Sequence, residues 1–185
     1  MNKEREQPPS GLTLEIVAQR VSESTLEHGG HQPTLMIEDT ENQLAILQFG
    51  NLPDTFAERE QQMFATGFAL AQSGSIGTLK QMFFVTEGWM SLMTGDKAPE
   101  RRPSQDPDRQ EVLLITQMDV HHRQQGLAIF EMIRDAAYEL QALNRYSFEG
   151  AVGEERMDSP LLDAFVWGYG AGLSSRTATP PNPTA

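Results

Sequence analysis

Apolar residues recur along this chain with two different periods, and stretches of one alternate with stretches of the other. Over residues 13–26, Leu14, Val17, Ala18 and Val21 stand three or four apart, the spacing of one helical face, and Gly29 and Gly30 supply a stop after His28. Residues 33–39 and 43–49 are shorter apolar runs joined by Thr40, Glu41 and Asn42, a pattern that predicts two antiparallel strands. Thr55 stands three positions before Glu58, so its hydroxyl can cap a helix whose Glu58 reaches back, and that helix is expected over about 55–72. Phe56, Met63, Phe64, Gly67, Leu70 and Ala71 make its broad apolar face, and Gly74 ends it.

Residues 79–93 carry Met82-Phe83-Phe84-Val85 in succession, which fits a central strand covered on both faces. The stretch 94–110 has no periodicity and contains Pro99, Pro103 and Pro107, so it reads as a long loop of the kind that is either mobile or functional. Residues 111–122 alternate, with Val112, Leu114, Met118 and Val120 on one face and Glu111, Gln117, Asp119 and His121 on the other. After the polar turn 123–126 the run to Arg134 returns as a hairpin partner. Residues 135–146 fit a helix by propensity and a strand by position, and the pattern leaves both open. Ser159-Pro160 is a good helix start, with Leu161, Leu162, Phe165, Val166 and Tyr169 as the buried side and an end expected near Gly170 or Gly172.

This order of elements predicts an α+β fold: a single domain over 12–173, with a mainly antiparallel sheet of about five strands covered by two or three helices. The polar, proline-bearing ends 1–11 and 174–185 are expected to be disordered tails. With 185 residues and 38% hydrophobic content the chain can bury a core of ordinary size. No 20–50-residue repeat points to a solenoid or propeller.

Charge narrows the class of partner. Fourteen basic against 26 acidic residues give a net charge of −12. The tails hold only Lys3, Arg5, Arg176, Glu4 and Glu6, so the acidity belongs to the domain. Such a field opposes direct nucleic-acid binding and approach to an anionic membrane. The polar start of the chain and the lack of a long apolar run predict a soluble, cytoplasmic protein. Cysteine is absent, which removes disulfides, thiolate nucleophiles and cysteine-based metal sites.

Two groups of residues could carry chemistry. His28 and His31 flank the double glycine and His121 ends a strand beside His122, so His28, His31 and His121 are candidate ligands of a divalent metal. Neighbouring strand residues point to opposite faces, however, and histidines beside polar turns need no ligand to explain them. No cofactor is predicted, with a divalent metal left as the open case. The second group is Glu87, Trp89, Arg101, Arg102 and Arg109, where a strand end would present a carboxylate and an indole beside an arginine-bearing loop, a chemistry suited to an anionic or aromatic ligand. The plainer reading makes Trp89 core and pairs Arg109 with a neighbouring carboxylate. The segment Ser73-Gly74-Ser75-Ile76-Gly77 matches neither a nucleophile elbow nor a phosphate loop. The nine methionines either fill core gaps or, if exposed together, make an adaptable binding surface.

The residues therefore favour a non-enzymatic acidic module for protein interaction or assembly, whose partner is another protein or a second copy. The alternative is a small enzyme or ligand-binding domain with its site near Glu87, Trp89 and the 94–110 loop. A third reading is an acidic decoy that occupies a nucleic-acid-binding protein.

Overall fold

The structure, a computed structural model, describes residues 11–91, 103–147 and 159–177. Its elements follow the order α1 (Leu14–His28), β1 (Thr34–Asp39), β2 (Leu44–Gln48), α2 (Phe56–Ser73), β3 (Leu79–Met90), β4 (Gln110–Asp119), β5 (Gln125–Arg134), β6 (Leu140–Arg145) and α3 (Pro160–Thr177), with a short 3-10 turn at Pro103–Gln105. The strands form one antiparallel sheet in the order β2-β1-β3-β4-β5-β6. This is an α+β domain with six strands among the described residues, one more than expected, because 140–145 is a strand. Helix propensity in that segment loses to the hydrogen-bonding edge that β5 offers.

Three hairpins shape the sheet, and each is closed by the same local device. Asp39 and Asp119 end β1 and β4, Asp135 directly follows β5, and one carboxylate oxygen of each accepts two amides of the following turn. Each turn also holds one residue at positive φ, namely Asn42, Arg123 and Tyr138. The aspartate stands in for the backbone acceptor of a tight turn, so no glycine is needed there.

The sheet is covered on both faces. Alternation along β3 sends Met82 and Phe84 towards α2 and α3 with Leu35, Ile37 and Met118. Phe83 and Val85 go towards α1 with Leu113, Ile115, Ala128 and Phe130. β4 is buried on both faces: Val112 and Met118 lie on one, while Leu113 and Ile115, on the face of Glu111 and Gln117, are fully buried beneath α1.

Both helix starts follow the local chemistry of the sequence. Thr13 caps α1, and Thr55 with Glu58 forms the reciprocal box at α2. α2 and α3 cross at backbone contact, since a Cβ added at Gly67 would overlap the Phe165 backbone and one at Gly168 the Phe64 backbone. Gly172 likewise meets Ala71 Cβ and the Phe68 carbonyl, so it serves close approach, and α3 runs past Gly170 and Gly172 to Thr177 where a stop was expected. The Tyr169 hydroxyl anchors α3 by hydrogen bonding to the carbonyls of Ile76 and Gly77 at 2.8 and 2.6 Å.

Candidate functional site

β3 delivers Glu87 and Trp89 to the α1 face of the sheet, just beyond the C-terminal end of that helix. Gly29 caps α1 at φ 75° and turns the chain so that the His31 N–H meets Glu87 Oε1 at 2.5 Å. Gly30 also packs on this carboxylate. Burial pushes the Glu87 carboxyl above its ordinary pKa against the His31 N–H, the Glu111 carboxylate adds to the rise, and Arg134 opposes it.

Arg134, at the end of β5, organises the surroundings. Its guanidinium grips Glu111 with two bonds of 2.8 and 2.9 Å, and it donates to Gly29 O at 3.0 Å and to Tyr138 O at 3.3 Å. The bidentate pair raises the Arg134 pKa. A cation at the C-terminal end of α1 is also where the helix dipole favours one. The group Glu87, Glu111 and Arg134 therefore clamps α1 to β3, β4 and β5. A carboxyl held towards its neutral form beside a second carboxylate is the raw material of a general acid. Here its oxygen is engaged by the chain's own backbone.

The second expected feature is formed in part. The Arg109 guanidinium lies 4.5 Å from the Trp89 ring centroid, and the indole stays 40% exposed. Trp89 is thus no core residue, and Arg109 stacks on it where a carboxylate partner was the plainer expectation. Arg101 and Arg102 lie outside the described residues, so the loop 94–110 is placed only from Pro103 onward.

The histidines are not assembled. His28 is exposed and its Nδ1 sits 2.8 Å from Ser24 O. His31 is half-buried, 3.5 Å from the Thr25 hydroxyl, with a buried Nε2 that has no hydrogen-bond partner; burial lowers its pKa. His121 lies in the turn after β4, at the opposite end of the β3–β4 pair from Glu87: Asp119 pairs with Gln81, six residues and about 20 Å along β3. Among the described residues no three His, Asp or Glu side chains are placed to hold a metal.

What the sequence reading missed is Glu111, Arg134 and the apolar exterior. Arg134 closes an apolar run and Glu111 opens one, but only the strand register brings them together. The exterior has a similar origin. α3 carries charge only at Asp163 and Arg176, near its ends, and is apolar on all sides. One side packs inward, while Trp167 is 66% exposed and Phe64, next to the crossing, 41%. On β2, Leu44 and Ile46 are 48% and 55% exposed. Among the described residues no helix is long and apolar enough to cross a membrane. No protein-family model, curated protein or solved structure matches the chain.

Proposed function

We propose that this protein is a non-enzymatic interaction or assembly module that binds another protein through apolar surface set in an acidic body. The observation that carries the reading is α3: a helix without a polar side is normally enclosed, yet this one presents Trp167, Gly170 and Ala171 outward. Grouped exposed apolar residues of this kind mark interaction surfaces on otherwise soluble folds. The inward engagement of Glu87 Oε1, Glu111 and Arg134 supports the same reading, because these bonds hold α1 to the sheet.

Trp167→Glu tests it. The exposed position tolerates the change without loss of fold, so circular dichroism should match the wild type, while a complex isolated from the native host and weighed by native mass spectrometry should lose its partner. A partner retained undiminished by Trp167→Glu overturns this surface as the binding face.

The exposed Arg109 and Trp89 pair favours the second reading, a ligand-binding domain. In that case Arg109→Ala abolishes binding of a small anionic or aromatic molecule with little change in thermal midpoint. A bare chain by native mass spectrometry, with no small-molecule adduct, counts against it.

A further inference from the structure

An antiparallel sheet with open ends presents two edges, and among the described residues they are β2 and β6. They are not equivalent. β6 is tied to α1 by the Arg145–Glu15 pair, carries that arginine at its end, and faces a register shift at Ile133/Arg134. These are features that discourage further pairing. β2 reads Leu44-Ala45-Ile46-Leu47-Gln48, with no charge, no proline and no register shift against β1.

The hydrogen-bond phase of β2 is fixed by its ends. The Asp39 N–H donates to Gln43 O and the Phe49 N–H to Pro33 O, and the same register runs between them. Residues 43, 45, 47 and 49 therefore turn their backbone groups to β1, and Leu44, Ile46 and Gln48 turn theirs outward. We propose that the β2 edge is a homodimer interface, in which β2 of a second copy adds antiparallel about a two-fold axis through Ile46 and joins the two sheets into one.

In that register Ile46 pairs with its own counterpart and Leu44 with Gln48 of the second copy. About six backbone hydrogen bonds result, and every outward donor and acceptor of these residues is used. A strand whose outward groups are centred on one residue is self-complementary, as an isologous contact must be.

Side chains on both faces favour the same occupant. Leu44 and Ile46 lie on the α1 face beside Met36, with their exposed surface continuing across the axis. On the other face an open groove of about 510 Å³ runs between Leu47 and the outer side of α2, lined by Ala65, Thr66, Ala69 and Leu70. Gln62, whose buried Oε1 has no hydrogen-bond partner, also lines it. Charge argues for self against a basic partner. The chain carries −12, and two copies can approach only where that charge is missing; a basic protein would find no carboxylate on β2 to recognise.

This inference rests on the assembly reading and names one partner within it. Sedimentation of the full chain across a wide concentration range should give twice the 20.6 kDa mass at the upper end. Ile46→Lys, at an exposed position, places like charges face to face across the axis and should raise the dissociation constant at least about 100-fold. Gln141→Lys on β6 should leave it unchanged. Hydrogen exchange on the wild type gives a readout that needs no variant to fold: amides of 44, 46 and 48 are protected in the dimer and exposed on dilution, while 45 and 47 stay protected in both. A chain that is monomeric throughout, a dimer indifferent to Ile46→Lys, or an edge protected only by an unlike chain overturns the proposal. The two readings fail separately. A monomer that loses an unlike partner through Trp167→Glu sinks the dimer alone, whereas a β2 dimer whose unlike partner survives Trp167→Glu sinks the α3 face alone.

Discussion

Single residues hold the ends of this fold together, and the buried carboxylates do so in a pH-dependent way. Glu38 is buried on β1 and accepts from the Gln81 amide at 2.5 Å, Lys80 Nζ at 3.0 Å and the Leu12 N–H at 3.2 Å. Burial alone would raise its pKa, but the Gln81, Lys80 and Leu12 hydrogen bonds and the Lys80 charge outweigh burial and hold it below the usual range. A depressed folded-state pKa contributes stability that is complete above the unfolded value of about 4.3 and is lost as the pH falls through the folded one. Glu38→Gln should therefore lower the thermal midpoint at neutral pH and flatten its fall in acid. Equal acid slopes for the variant and the wild type would show that Glu38 is no part of that transition. Arg134 makes the complementary case. Removing it strands the largely buried Glu111 beside Glu87, so Arg134→Ala should cost about 3 kcal/mol in denaturant unfolding. A cost within about 0.5 kcal/mol, the level of an ordinary surface substitution, would mean that solvent takes over its role.

At the scale of elements the glycines of α2 and α3 separate packing from propensity. Gly168 and Gly67 meet the backbone of the opposite helix, so Gly168→Ala or Gly67→Ala forces the pair apart and should destabilise by about 1–3 kcal/mol or more. Gly170 has open space around its Cα, and Gly170→Ala should stabilise the helix by about 0.5–1 kcal/mol. Opposite signs in chemical denaturation are expected, and equal effects would place the crossing elsewhere. The same glycines show where a sequence is legible. The Thr55 box, the β1–β2 hairpin and the Ser159-Pro160 start are local signals and stand in the structure where the residues put them. Gly172 is locally a stop and structurally a contact with Ala71 Cβ, where an added Cβ would come within 2.7 Å. Only the tertiary partner distinguishes these roles. Residues 135–146 posed the same difficulty, since their strand depends on β5. The candidate site was legible as far as Glu87, Trp89 and Arg109 share a neighbourhood. The Glu111 and Arg134 pair was hidden because it is a property of strand register, not of spacing along the chain.

For the molecule as a whole, the two faces of the sheet are covered unequally, and this decides how the fold opens. On one side α2 and α3 share a backbone-close crossing above Leu35, Ile37, Met82 and Phe84. On the other, α1 docks alone through Val17, Ala18, Val21 and Thr25. Its ends are held by side chains: the Glu15 carboxylate on Arg145, and Gly29 O on Arg134. The Glu15 pair is exposed, and exposed pairs contribute little, so most of the end anchoring falls to Arg134. Lifting α1 exposes one apolar stripe and leaves the sheet paired, whereas separating α2 from α3 breaks the deeper core. Local openings of the first kind cost less than global unfolding and are visible in amide exchange. α1 should thus exchange through a subglobal opening while β3, β4 and α2 exchange only with the whole domain. Arg134→Ala sharpens the test, because it should speed exchange along α1 more than anywhere else and lower the remaining elements only by the global loss of stability. If α1 and α2 slow and quicken together in the wild type and in Arg134→Ala, the two faces form one cooperative unit and the clamp at Glu87, Glu111 and Arg134 carries no separate role.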